Sequence, residues 1–335
     1  MTQSSDAIVP LGAMRFNSDS QKLEYWMGSA WMQIQTFSPN LDGGTRGLFM
    51  GGSPNSAGKT IEFITIPTAG NGTDFGDMAD QAKYCSSCAS NTRGIVAGGE
   101  SPSDGTHEEI EFVTISSTGN ATDFGDLLEG RTYISACGNQ TRGVFAGGKA
   151  PNEDTRIQFI TIASTGNAVD FGDLTQNNSN QGGTASPTRG IFAGGADWPS
   201  MKDEIDFVTI ATLGNAQDFG DLTAAQALNN GATSSTRAVY SSGSQAPSIT
   251  AMQFITMATR GNAIEFGAIS HIVGWKTGTS DTVRGVFGGG QTPAYTNVID
   301  YIKIATQGDA VDFGDLITED HYSGGACSNG HGGLG

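Results

Sequence analysis

The chain has 335 residues, of which 49 are glycine and only 15 % are charged, and 34 acidic against 17 basic side chains give a net charge of -17. This balance excludes a protein built to neutralise a phosphate backbone, which needs a basic footprint, and one drawn to an anionic membrane surface. No run of 18 apolar residues occurs, and the start MTQSSDAIVPLGAMRF has neither a basic opening nor a long apolar stretch. Neither a membrane-spanning helix nor a secretory signal is therefore expected. Gly, Thr, Ser and Asn are poor helix formers, so the expectation is an all-β protein.

Residues 1–36 form the first expected element. Gly12–Asn17, Lys22–Trp26 and Ala30–Ile34 read as three strands, joined by Ser18–Gln21 and Met27–Ser29. Three short strands bury too little to be stable alone, so Tyr25, Trp26 and Trp31 are expected to dock against something. The pattern G-x-x-R-F-N…K-L-E-Y-W-x-G-S-x-W-x-x-I resembles a hairpin element frequent in bacteriophage tail and fibre proteins. The resemblance covers about 25 residues. It implies an attachment or oligomerisation element that binds other virion proteins. Read from the residues alone, it is a β-meander packed on the rest of the chain.

Residues 37–335 are repetitive, opening with a Gly- and Pro-containing lead-in at Phe37–Thr45. An arginine column runs through Arg46, Arg93, Arg142, Arg189, Arg237 and Arg284, at spacings of 47, 49, 47, 48 and 47. An aromatic column follows at Phe63, Phe112, Phe159, Phe207, Phe254 and Tyr301, and a second at Phe75, Phe124, Phe171, Phe219, Phe266 and Phe313. The aromatic columns are 12 apart in every copy, and the second lies 18 before the next arginine. Each copy reads as four strands, in the third copy Tyr133–Asn139, Gly143–Ala146, Ile157–Ile162 and Val169–Leu174. Their Val, Ile, Phe and Thr suit a pleated, half-buried surface, and the turn Ser164-Thr165-Gly166-Asn167 supplies positive φ. Four strands per copy and six copies predict a six-bladed β-propeller.

Gly-Gly pairs at 51–52, 98–99, 147–148, 194–195 and 289–290 make the repeat similar to kelch-type propellers. The resemblance spans residues 46–331 and implies architecture, not function. The fifth copy departs, with Ser242-Gly243, and Phe of D-F-G-D-L stands where kelch repeats carry tryptophan. His331 falls 18 after Phe313, in the arginine column. Tyr322–Gly330 then matches a first strand with no room for a seventh copy. It is expected to close the first blade against the Arg46–Gly52 strand, removing exposed sheet edges.

Candidate chemistry is sparse. D-F-G holds Mg²⁺ in kinases, but here it recurs at one fixed place without a lysine strand or catalytic loop, and reads as a structural turn. The pairs Asp74/Asp77, Asp123/Asp126, Asp170/Asp173, Asp218/Asp221 and Asp312/Asp315 could bind Ca²⁺. The preferred expectation is that one acid of each pair meets the column arginine or a turn amide. Glu265 and Ala268 break that pattern in copy five. The arginines are expected to form a structural ring, the alternative being an anion site on the axis. Cys85-x-x-Cys88 resembles a redox or zinc half-site, but a spacing of three on a strand points the thiols to opposite faces. With Cys137 and Cys327 they read as buried small hydrophobes. His107, His271, His321 and His331 show no ligand spacing. The glycosylation sequons at Asn71 and Asn120 are repeat turns. No nucleophile elbow, P-loop or dinucleotide fingerprint is present, so neither enzyme, cofactor nor metal is expected.

In antiparallel copies the T-R-G and T-G-N turns share one face, and the other carries the variable loops. These are Ser53–Lys59, Glu100–His107, Lys149–Thr155, Ala196–Lys202, Ser244–Ser248 and Gln291–Asn297, together with the segments before each column arginine. Varied loops on a fixed scaffold are where recognition resides, and Trp198, Trp275, Tyr295 and His107 are their conspicuous members. The expectation is a non-enzymatic virion protein made in the host cytoplasm. It is a tail fibre or receptor-binding component facing a host glycan or protein, with no nucleic acid and no membrane insertion. A capsid decoration protein and a cytoplasmic kelch-like interaction scaffold are the alternatives.

Overall fold

The computed structural model describes residues 9–17, 22–33, 45–52, 56–101, 105–227, 231–241, 243, 250–271, 273–291 and 294–334. It is all-β, with no α-helix among the described residues. The chain divides into two units, Met1–Gly43 and Gly44–Gly335. Of the expected variable loops, Ser244–Ser248 lies outside the described residues.

The first unit is a three-stranded antiparallel sheet of Met14–Asn17, Lys22–Trp26 and Trp31–Gln33. Its register sets Met14, Tyr25 and Met32 side by side, and Arg15 opposite Glu24. Successive side chains alternate faces, so the sheet is two-sided. On one face Arg15 pairs with Glu24 at 2.8 Å and lies over Trp31 at 4.2 Å, and Trp31 packs on Trp26 with centroids 5.5 Å apart. The other presents Met14, Phe16, Tyr25 and Met32, all exposed.

The second unit holds six four-stranded antiparallel sheets among the described residues, here I to VI. Sheet II is Ser86–Ala89, Arg93–Ala97, Glu109–Thr114 and Thr122–Asp126; sheet III is Ser135–Gly138, Arg142–Ala146, Asp154–Thr161 and Val169–Asn178. Sheet IV is Gly182–Ala185, Arg189–Ala193, Glu204–Thr209 and Gln217–Asp221; sheet V is Ala232–Thr233, Arg237–Ser241, Ala251–Thr256 and Ile264–Ala268. Sheet VI is Thr277–Ser280, Arg284–Gly288, Val298–Lys303 and Val311–Asp315. Sheet I combines both ends of the unit: Gly325–Ser328 pairs with Arg46–Met50, followed by Thr60–Thr65 and Thr73–Asp77. First strands of consecutive sheets adjoin one another, and that of VI adjoins that of I.

The core is divided between neighbours. Each of six hydrophobic clusters straddles two consecutive sheets, as Leu48, Met50 and Phe75 of I meet Val96 and Val113 of II. Second strands are buried almost throughout because they are covered on both faces. The free cysteines are buried, and Cys85 and Cys88 fall in different clusters.

The sequence columns meet in space. In every sheet the two aromatic columns pack edge to face, with centroids 5.8–6.0 Å apart. The column guanidinium lies over the first of these rings at 4.5–5.1 Å. Its Nη1 donates to a carbonyl of the next sheet: Arg46 to Ile115, Arg93 to Ile162, Arg142 to Ile210, Arg189 to Met257, Arg237 to Ile304, and Arg284 to Ile66. Each arginine is therefore a cross-sheet tie whose face stacks and whose edge donates.

One expectation needs correction. The paired aspartates do not meet the arginines: no ion pair among the described residues engages a column arginine. Instead the D-F-G-D strand receives the next copy's turn. Gly119 N–H donates to Phe75 O at 2.7 Å, Ala121 N–H donates to Asp77 O at 2.8 Å, and Asn120 Oδ1 accepts from Asp77 N–H at 3.1 Å. The same bonds link sheet VI to sheet I through Gly70 and Asn71. His331, at the arginine-column position, makes a different link. Its Nε2–H donates to Ala89 O at 3.0 Å, and the chain turns into the 3₁₀ segment Gly332–Leu334, where Gly332 N–H donates to Thr233 Oγ1 at 3.0 Å. The final segment thus links sheets II and V.

Candidate binding site

First strands are entered through residues in the left-handed region: Tyr84 (φ 60), Tyr133 (φ 56), Asn180 (φ 57), Trp275 (φ 61) and Ser323 (φ 51). Such conformations cost energy in non-glycine residues and cluster where function needs them. Here they are locked together. The backbone N–H of Asn180 donates to Tyr133 O, Tyr133 to Tyr84 O, Tyr84 to Ser323 O, and Ser323 to Trp275 O, all at 2.8–2.9 Å.

This circuit carries an aromatic cluster. The rings of Tyr84 and Tyr133 stack at 4.2 Å, and Trp275 lies 6.4 and 6.2 Å from them. Tyr322 meets Tyr84 edge-on at 6.0 Å and Tyr295 at 5.2 Å. Tyr84, Tyr133 and Trp275 are half-buried, Tyr322 is buried, and Tyr295 is exposed. The Tyr84 and Tyr322 hydroxyls are 3.2 Å apart. Burial pushes Tyr84 up to about 12 and Tyr322 higher still, and it raises Tyr133 as well. All three phenols are therefore neutral donors and acceptors at physiological pH. Lys83 lies over the Tyr84 ring at 4.9 Å and pairs with Glu100 at 3.1 Å. Beneath the rings lies a cavity of about 40 Å³, lined by Tyr84, Tyr133, Ser87, Gln181, Gly278 and Ser323. It has room for a few waters, and the buried Gln181 Oε1 has no protein partner.

Trp275 and Tyr295, singled out from the sequence, join this cluster through Tyr84 and Tyr322. Trp198 does not: it caps the separate hairpin Ala196–Asp197/Ser200–Met201, half-buried. His107 is buried, with its N–H donating to Gly99 O and its carbonyl accepting from Arg131 N–H. The column arginines lie at the opposite ends of the first strands, at the T-R-G turns. Trp26 and Trp31 pack on each other, whereas Tyr25 belongs to the exposed apolar face.

Tyr84, Tyr133 and Tyr322 were missed from the sequence, though a signal exists. With Trp275 they stand nine before Arg93, Arg142, His331 and Arg284. Two of the six copies hold Asn180 and Leu228 there, and this hid the column. Among the described residues, no group of three or more His, Cys, Asp or Glu could hold a metal, and no helix is long and apolar enough to cross a membrane. Set against models of protein families and against curated proteins, the chain matches none.

Proposed function

We propose that the second unit is a six-bladed β-propeller and that the protein is a non-enzymatic bacteriophage virion component, a tail fibre or receptor-binding part. Its axial aromatic cluster binds a host-surface ligand. The propeller reading is supported by six sheets whose first strands adjoin in sequence and by a sheet I completed from both ends. The binding reading rests on one observation: five aromatic rings in mutual contact, three of them on a hydrogen-bonded chain of left-handed residues. Their faces offer apolar area at little entropic cost, suited to a sugar ring or an apolar protein patch. Attachment to the particle is assigned to the first unit, whose face of Met14, Phe16, Tyr25 and Met32 is apolar and exposed.

The test uses phage particles carrying Trp275→Ala together with Tyr295→Ala. Adsorption to host cells should fall at least tenfold while the protein is still incorporated. Unchanged adsorption with normal incorporation would favour capsid decoration. Failure of the wild-type protein to copurify with particles would remove the virion assignment and favour a cytoplasmic interaction scaffold.

A further inference from the structure

One buried ion pair distinguishes sheet VI from the others. Lys276 and Asp300 are both fully buried, and Nζ lies 3.4 Å from Oδ2. The slot eight before the column arginine holds Cys85, Ile134 and Gln181 in sheets II to IV, and a lysine only in sheet VI. The Lys276 stem runs past Gly290, where an added Cβ would lie 3.3 Å from its Cγ. It reaches from the residue just before the first strand, across the second, to Asp300 on the third. Ser270 Oγ donates to Asp300 Oδ1 at 2.6 Å and lies 2.8 Å from His271 Nδ1, and His271 Nδ1 is 3.5 Å from Oδ2. Ser270 is at the surface.

We infer that Lys276 and Asp300 condense into an intramolecular isopeptide bond, making sheet VI a self-crosslinking site. The charged pair is costly where no water reaches it. Passing one proton from Nζ to the carboxylate gives a neutral amine beside a neutral acid and removes both charges. Burial already draws the lysine down to about 8. The Nζ lone pair then adds to Cγ, the Cγ–Oδ1 bond breaks, and Oδ1 leaves as water. That water carries the acid's proton and one from Nζ, relayed through Ser270 Oγ with His271 behind it. Nothing is oxidised or reduced, and no co-reactant is needed. Proximity supplies the drive: two groups held in contact react as if at very high concentration. The exposed Ser270 side gives the water its exit. The product ties the residue that opens the first strand to the third strand, a covalent brace across sheet VI.

The test is the intact mass of the folded full-length protein, followed by proteolysis. The expected result is a mass one water below that of the sequence, with a branched peptide joining the segments that contain Lys276 and Asp300. Ser270→Ala should lower the bonded fraction at a given time after synthesis. Lys276→Met, which fills the slot with an apolar chain of similar length, should restore the full mass. The wild-type measurement requires no variant to fold. Folded wild-type protein at the full sequence mass, or a water loss mapped to any other residue, overturns the proposal and leaves an ion pair.

Discussion

Gly166 and Gly172 share a backbone geometry, φ +150 and +148, but not their surroundings. A Cβ on Gly166 would meet nothing within 4 Å, whereas one on Gly172 would lie 2.6 Å from the carbonyl of Gly214. The comparison separates backbone strain, common to both, from steric exclusion, present at one. Gly172→Ala should cost about 1–3 kcal/mol more than Gly166→Ala in urea unfolding. Equal losses would mean that the close approach of the next turn is not what requires glycine in D-F-G. His331 is a second residue with a clear sign. Its Nε2–H donates to Ala89 O and its Nδ1 accepts from Gly333 N–H, so the neutral form satisfies both nitrogens. Burial lowers its pKa, as it does those of His271 and His321. As pH falls through the ordinary histidine value of 6.5, the unfolded chain takes up protons that the folded chain refuses, and stability drops. Half-buried Glu111 and buried Asp206 titrate in the opposite sense, but from the carboxylate range below. The urea midpoint should therefore fall between about pH 7.5 and pH 6, and His331→Gln should flatten that slope. An unchanged slope would show that His331 titrates alike in both states.

At the scale of the element, sheet I shows how two distant segments come to act as one repeat. In sheets II to VI the N–H of the column arginine donates to a side chain three residues earlier: Ser90, Asn139, Ser186, Ser234 or Asp281. For Arg46 the acceptor is Asn329, 283 residues away, whose own N–H donates back to Arg46 O. Asn329→Ala should cost about 0.5–1.5 kcal/mol, the usual net worth of such a hydrogen bond, here part-buried; no loss would make that link incidental. The arginine and aromatic columns were legible because one residue type must fill a stacking geometry. A fourth column was not. Glu62, Glu111, Gln158, Asp206 and Gln253 each accept from the backbone N–H two residues past the preceding D-F-G-D, at Ile317, Ala79, Leu128, Thr175 and Thr223. Only an acceptor oxygen of the right reach is required there, so Glu, Gln and Asp interchange and the column looks random. The aromatic cluster was half legible for a similar reason. Trp275 and Tyr295 stood out by type, while the column nine before the arginine that holds Tyr84, Tyr133 and Tyr322 was hidden because Asn180 and Leu228 interrupt it.

At the scale of the whole second unit, cohesion runs between sheets at least as strongly as within them. Every hydrophobic cluster belongs to two sheets, every column arginine donates to the next sheet, and every T-G-N turn extends the preceding outer strand. An open stack of repeats with only nearest-neighbour contacts can fray from its ends. Here the two ends share sheet I, so no sheet can leave without breaking two cluster interfaces. Unfolding should then be one cooperative transition. Trp198 in the region of sheet IV and Trp275 before sheet VI can report it separately, in variants with Phe at the other three tryptophans. Their urea midpoints should coincide in the complete chain. Removing residues 322–335 takes away the strand that pairs with Arg46–Met50 and uncovers its edge. The midpoints should then separate, with the Trp275 signal lost first because the first strand of sheet VI has lost its neighbouring strand in sheet I, and the protein should associate through the open edge. Coincident midpoints in the truncated chain would show that the shared sheet is not what couples the repeats, and would place the cooperativity in the cluster interfaces alone.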